Sequence, residues 1–367
     1  MMPNDPKNYL THMVTDRLEA LALVLGFQEE TNYIMSVYHE LIDPWADLPA
    51  AKIRQKKSAF AADASPIELS VAITAGVPEL RFSMEIIEED TSIGGKRASA
   101  IAFVNKIEKL FNLDLSQYRA IEDLFLPENM QGKFAMFQSV RFSPGKPIVF
   151  DIHLNPKAAG IDKVNVLVQE ALRRLGYAQG WLKMQEVLQR GDDLDQIFYF
   201  GIDVGEKNNR VKIYAYHKEA KLLDISRICQ VAQNYVPHIQ ENFVREMTGG
   251  LELYSKWWLI TTTAFVDINP IVPQTITTYV PMFAYAHDDA QAYERIHRYL
   301  HTHDLQPDIY RNLIDTFKNR DLSAGVGMQN WISLQRRLDQ KLRWTIYLAT
   351  ELVEVLKPGT LPKVINQ

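Results

Sequence analysis

Arg210, Lys212, Tyr214 and Tyr216 take alternate positions in "NNRVKIYAYHK", with Val211, Ile213 and Ala215 between them. Successive side chains of a β-strand point to opposite faces, so this spacing collects two cations and two phenols on one side. The segment "LRWTIYLA" repeats the order, with Arg343, Thr345 and Tyr347 on one face. A single face of this kind is ordinary at a solvent-washed sheet edge, where Lys and Arg discourage pairing with other chains. Set side by side as neighbouring strands, the two would instead grade from an anion clamp into a π-rich collar.

That gradient suits the departure of a diphosphate. Arg and Lys make diphosphate a better leaving group, each close ion pair being worth on the order of 4 kcal/mol at an effective dielectric near 20 before desolvation is counted. Loss of diphosphate from an allylic carbon leaves a carbocation. Tyr and Trp faces stabilise such a cation by roughly 0.5 to 2 kcal/mol per ring and exclude the water that would quench it. An aromatic acceptor can then attack.

These side chains need a scaffold that brings many strands together. Pairs of alternating runs recur along the chain: "PIELSVAIT" with "ELRFSMEII", "FAMFQSVRF" with "PIVFDIHLN", "IFYFGIDV" with "RVKIYAYH", "WWLITTTAFV" with "TITTYVPMF", and "QNWISLQ" with "RWTIYLA". Their turns begin near Gly76, Ser143, Gly205, Asn269 and Arg336, which by subtraction are 62 to 67 residues apart. Such even spacing predicts five copies of one unit, a β-hairpin with flanking helices. The helices show in i, i+3, i+4 apolar spacing, as in Val164, Leu167, Val168, Ala171 and Leu172.

Each hairpin has a polar face as well as an apolar one. Glu68 alternates with Leu69, Arg81 and Glu85 flank Phe82 and Met84, and Asp151 and His153 enclose Ile152; Thr277, Tyr279 and Trp331 continue the polar series. Amphipathic helices on the apolar faces would leave the polar faces of ten strands to meet water or one another. Closure removes the sheet edges, and ten strands enclose a cavity because about eight are already just filled by side chains. The expected fold is α+β, a ten-stranded antiparallel β-barrel surrounded by α-helices, with a solvated lumen. No linker composition interrupts residues 1–367, so one domain is expected. An open sheet with helices on one face is the competing arrangement.

Composition narrows the function classes. Hydrophobic residues make up 47% and charged residues 23%, as in ordinary globular proteins. A net charge of −5 argues against nucleic acid or an anionic membrane as partner but permits a concentrated basic pocket. The single cysteine, Cys229, sits in an apolar helical context and reads as a core thiol in a reducing compartment. With no secretion signal and no run long enough to span a bilayer, a soluble cytoplasmic protein is expected. "GDDLDQ" and "HDDAQAYE" lack the Asp-Asp-x-x-Asp spacing of acidic metal motifs, and "SIGGKRAS" lacks phosphate-loop spacing.

The segments "PIELSVAITAGVPELRFSMEI", "DLFLPENMQGKFAMFQSV", "NRVKIYAYHK", "TTYVPMFAYAHDDAQAYERI" and "LRWTIYLATE" together resemble the indole prenyltransferases of the dimethylallyltryptophan synthase type, bacterial branch, within the ABBA aromatic prenyltransferase superfamily. The resemblance runs from about Ile67 to Glu351 in the family's order. It implies five αββα repeats forming a PT barrel. It also implies transfer of a dimethylallyl or geranyl group from an allylic diphosphate donor to an indole-containing small molecule or peptide, in secondary metabolism, with no cofactor required. Carried over residue by residue, Glu68 would accept the indole N–H; Arg81, Arg210 and Lys212 would hold diphosphate, with Arg343 as a further candidate; and Tyr214, Tyr279 and Tyr347 would shield the cation, with Trp331 beside them.

Glu68 has a competing assignment, a structural ion pair with Arg81 in the partner strand. One segment also departs from the family. Where a Lys-x-Tyr pair is usual, this chain has Asp151 and His153. The exchange raises two expectations: a possible Mg²⁺ site at Asp151 or His153, and His153 as acceptor of the final ring proton. A non-catalytic barrel that binds an anionic lipid or hydrophobic metabolite is the alternative function.

Overall fold

The computed structural model describes residues 10–42, 52, 58, 60–86, 90–205, 210–266 and 271–363. Ten strands form its centre: β1 (Ile67–Thr74), β2 (Val77–Met84), β3 (Met136–Phe142), β4 (Val149–Leu154), β5 (Asp195–Val204), β6 (Val211–His217), β9 (Leu259–Phe265), β10 (Thr275–Pro281), β11 (Gln329–Arg336) and β12 (Leu342–Ala349). Two-residue pieces, β7 (Ala220–Lys221) and β8 (Leu253–Tyr254), pair outside the barrel. All ten central strands run antiparallel to their neighbours, and β1 closes the barrel by pairing with β12. The five hairpins are those expected from the sequence. The turn expected at Asn269, and Asn208 with Asn209 ahead of β6, lie outside the described residues.

Local sequence dictates these elements. Ala75 and Gly76 both have positive φ, the type I′ turn that matches strand twist, and they join β1 to β2 with two residues. The helix Ile93–Phe111 starts on Ser92, whose side chain accepts a hydrogen bond from the Gly95 N–H, and ends on Asn112 in the left-handed conformation. "SIGGKRAS" is therefore a helix start. Likewise, Asp288 of "HDDAQAYE" caps the helix Asp289–Thr302 by accepting from the Gln291 N–H.

The core is a shell between barrel and helices. Outward strand residues such as Phe82, Phe150, Phe200 and Trp344 are buried against Tyr38, Phe111, Phe125 and Tyr310 of the surrounding helices. Each such side chain contributes roughly 1.5–3 kcal/mol by leaving water. Because the outward faces are spent on this shell, the inward faces are free to be polar. Cys229 belongs to the shell, and burial pushes its thiol up to about 12. Among the described residues no helix is long and apolar enough to cross a membrane.

Two β-bulges break the inside–outside alternation. In β5 the register shifts between Ile197 and Tyr199, so Phe198 is the extra residue. In β11 the shift lies between Gln329 and Trp331, and Asn330 is the extra residue. A bulge sets two residues against one on the partner strand. Consecutive pairs, Phe198 with Tyr199 and Asn330 with Trp331, therefore turn toward the lumen.

Candidate active site

The lumen divides into two adjoining chambers. One has a volume of about 870 Å³ counting its mouth, the other about 430 Å³. Arg81, Tyr214, Tyr279 and Tyr347 line both. The three phenols form a collar between them: Tyr214 and Tyr279 have ring centroids 6.3 Å apart, and Tyr279 and Tyr347 are 5.8 Å apart.

The smaller chamber is cationic. Arg81, Arg210, Lys212 and Arg343 line it, together with Thr277 and Thr345. The strands β6, which carries Lys212 and follows Arg210, and β12, which carries Arg343, are not neighbours as the sequence suggested, since β9, β10 and β11 intervene. Pairing follows the chain order of hairpins, so the two gradients converge across the lumen instead of lying side by side.

Behind these cations stand three carboxylates, of which the sequence pointed to Asp151 but not to Asp203 or Glu79. Asp203 receives Lys212 Nζ at 2.6 Å, Arg210 at 2.8 Å and Arg141 at 3.2 Å. Asp151 lies 3.3 Å from Lys212 and 3.8 Å from Arg141. Glu79 is 3.1 Å from Arg81 and 3.8 Å from Arg141, and it accepts a short hydrogen bond from Arg343. Five cations and three carboxylates leave two positive charges in excess. Burial opposes ionisation of Glu79 and Asp151, but Arg343 and Arg141 hold Glu79, and Lys212 and Arg141 hold Asp151, well below the usual carboxylate range. Gly201 makes the arrangement possible. It faces Lys212 across the β5–β6 pair, and a Cβ there would come within 3.2 Å of Lys212 Cβ and 3.1 Å of the Tyr214 ring.

The larger chamber is aromatic. Phe60, Phe198, Tyr199, Trp258, Ile260 and Trp331 line it with the collar, and Glu68, Asp151 and His153 join Arg81, Ser83 and Ser139 as its polar side chains. Glu68 is buried, and its Oε2 accepts a 2.5 Å hydrogen bond from Asn330 Nδ2. Burial pushes Glu68 up to about 8, while the Asn330 bond opposes that rise. The competing ion pair with Arg81 does not form: Ser83 stands opposite Glu68, and Arg81 pairs with Glu79. His153 shares a 3.1 Å hydrogen bond between its Nε2 and the Tyr214 hydroxyl, and burial pushes its pKa down to about 4. Tyr216 and Glu85, two further members of the polar faces, do not line either chamber. Tyr216 packs with Phe198 and Ile260, and Glu85 pairs with Lys96 at 2.9 Å.

The residues around Asp151 do not fit a divalent cation. Lys212 and Arg141 already flank the carboxylate, and among the described residues no three His, Cys, Asp or Glu side chains converge on a point. Mg²⁺ would have to displace those cations to reach it.

A helix-wrapped ten-stranded barrel, with a cationic chamber, a tyrosine collar and an aromatic chamber along one lumen, defines an aromatic prenyltransferase barrel. The chain belongs to the tryptophan dimethylallyltransferase family, whose model matches residues 16–243. Solved structures agree over nearly the whole length. A 6-dimethylallyl tryptophan synthase is 25% identical with a TM-score of 0.87, the match covering 95% of this chain and 99% of that one. PriB, in a binary complex with product diphosphate, is likewise 25% identical with a TM-score of 0.87, over 96% of this chain and 100% of its own. AnaPT from Neosartorya fischeri shares the fold at 14% identity, with a TM-score of 0.76 over 94% of this chain and 93% of that one.

Proposed function

We propose that this protein transfers a dimethylallyl or geranyl group from its diphosphate to the ring of an indole-containing small molecule or peptide by electrophilic aromatic substitution. The observation that carries this reading is the segregation of charge along one lumen, with Arg210, Lys212 and Arg343 on one side of the tyrosine collar, Arg81 at the collar itself and Glu68 on the other side. Family membership and the likeness to a 6-dimethylallyl tryptophan synthase and to diphosphate-bound PriB support it.

Arg81, Arg210, Lys212 and Arg343 hold the donor diphosphate, with Arg141 behind them. The allylic C–O bond breaks and its electron pair leaves with the diphosphate. The resulting cation faces Tyr214, Tyr279 and Tyr347, with Trp331 on the acceptor side. An indole carbon supplies the electron pair of the new C–C bond. Glu68, as carboxylate, accepts the indole N–H; a hydrogen bond to a charged group of this kind is worth roughly 1.5–3 kcal/mol. The ring proton then passes to His153. Burial keeps that imidazole neutral at neutral pH, and a cationic ring intermediate is a strong enough acid to protonate a weak base. No step is assigned to a protein-bound metal, because Lys212 and Arg141 already engage the Asp151 carboxylate.

Incubation with indole acceptors and dimethylallyl or geranyl diphosphate, followed by mass spectrometry, should reveal an added C5 or C10 unit. A melting temperature that rises with diphosphates, without any adduct across a broad set of indoles, would favour the non-catalytic binder.

A further inference from the structure

The prenyl-transfer reading leaves open what the acceptor carries besides its indole. Resting on that reading, we infer that the acceptor is an indole without a free carboxylate, such as a tryptophan-derived amide or cyclic dipeptide, and not free tryptophan.

Charge in the lumen is distributed unevenly. Among the described residues, every lysine and arginine that lines either chamber belongs to the ion cluster or its edge: Arg210, Lys212 and Arg343 face only the smaller chamber, and Arg81 faces both while paired to Glu79. Among the described residues the rest of the aromatic chamber has no cation in its lining. Its outer wall is apolar: Phe198 and Ile260 line it, with Trp258 and Trp331 packed on them and Tyr216 in the same cluster outside the lining. The bulge at Phe198 places a phenyl ring on this wall beside Tyr199. Lys133, Lys157 and Lys218 lie just outside the ends of β3, β4 and β6 and are not in the chamber lining.

A tryptophan carboxylate held here would lose its water against aromatic rings and share the chamber with Glu68. An ionised carboxylate in an apolar site is costly unless a partner is supplied. An amide in the same place needs only hydrogen bonds, and Ser83 and Ser139, whose hydroxyls are 2.7 Å apart in this chamber, can exchange their mutual bond for one. A reaction that ties up or removes the tryptophan carboxyl group must therefore precede prenylation.

The test is a matched acceptor series: L-tryptophan, L-tryptophanamide, N-acetyl-L-tryptophanamide and a tryptophan-containing cyclic dipeptide. Binding is read by calorimetry in the presence of dimethylallyl thiolodiphosphate, and turnover by product formation from dimethylallyl and geranyl diphosphates. Members lacking the carboxylate should bind at least about tenfold more tightly than L-tryptophan, with kcat/KM higher by a similar factor. L-tryptophan binding as tightly as L-tryptophanamide and the cyclic dipeptide, or more tightly, overturns the inference. Preferential binding of the indoles lacking the carboxylate, without any adduct, upholds the acceptor class and removes the transferase reading. No binding by any member overturns both.

Discussion

Asn330 Nδ2 donates a 2.5 Å hydrogen bond to Glu68 Oε2, joining the extra residue of the β11 bulge to the first residues of β1. Asn330 is fully buried, and its Oδ1 has no hydrogen-bond partner among the described residues. A bulge that turns a buried amide onto a buried carboxylate fixes where that carboxylate points. Asn330 is thus a positioning residue for Glu68.

The first prediction concerns pH. Glu68 in the free enzyme sits at about 8, above its ordinary 4.5, so kcat/KM should rise between pH 7 and pH 9 as the carboxylate forms. Stability follows the opposite sign: the contribution of this group is full below its unfolded pKa and is lost as pH rises through about 8. Glu68→Gln should remove the rising limb and lower kcat roughly 10- to 100-fold, the equivalent of the 1.5–3 kcal/mol hydrogen bond. Asn330→Leu should move the limb to higher pH, because the bond it removes favours the carboxylate. A limb that stays in place in Asn330→Leu would leave Asn330 a purely structural role.

The second concerns the ion cluster. Asp203→Asn leaves Lys212, Arg210 and Arg141 without their common partner and should destabilise the protein by about 3–5 kcal/mol. Added inorganic diphosphate supplies the lost negative charge. It should therefore raise the melting temperature of Asp203→Asn by more than that of the parent, measured by thermal shift; equal shifts would contradict the role assigned to Asp203.

Tyrosine removal tests the collar. Tyr279 stands between Tyr214 and Tyr347, so Tyr279→Leu opens the ring of phenols at its middle. Losing one ring's stabilisation, roughly 0.5–2 kcal/mol, should slow transfer about 2- to 30-fold. Water admitted to the cation should raise the ratio of prenyl alcohol to prenylated indole, quantified by chromatography. An unchanged ratio would place Tyr279 off the path of the cation.

Acid stability provides a fourth test. Burial holds His153 at about 4, below its ordinary 6.5, and also lowers His217, whose ring sits between Asp195 at 2.7 Å and Thr261 at 2.8 Å. An unfolded chain accepts protons that these native rings refuse. Stability present above about pH 6.5 is therefore lost as pH falls toward 4. His153→Gln should flatten the decline in melting temperature between pH 7 and pH 5.

Metal removal gives the fifth. Turnover should be unchanged in EDTA, because no step uses a protein-bound ion and Asp151 is held by Lys212 and Arg141. A loss of activity in chelator, restored by Mg²⁺, would return a metal to the reaction.

Alternation made much of this site legible. Lys212 and Tyr214 on β6 with Arg210 just before it, and Arg343, Thr345 and Tyr347 on β12, share an inward face because strand geometry is local. Glu79 carried a usable signal as well, two residues before Arg81 and on the same face. Asp203 and Arg141 were harder to find. Their value lies in meeting one another from β5 and β3, and Asp203 takes its face only after the bulge at Phe198. The same irregularity hid Phe198 and Asn330, because a bulge is chosen by the whole sheet. The neighbour order around the barrel was misjudged for the same reason: local pattern specifies a strand but not which strand lies beside it.

Closure by β1 and β12 has a temporal consequence. Glu68 comes from the first hairpin, and Asn330 and Tyr347 from the last, whereas Asp203, Lys212 and Arg141 are all made before residue 220. During synthesis most of the diphosphate grip can take shape, with Arg343 still to come, while the acceptor pocket lacks a wall. The enzyme gains its reactive chamber only when its final strand docks onto its first, so an interrupted nascent chain has no enclosed place in which to free a carbocation.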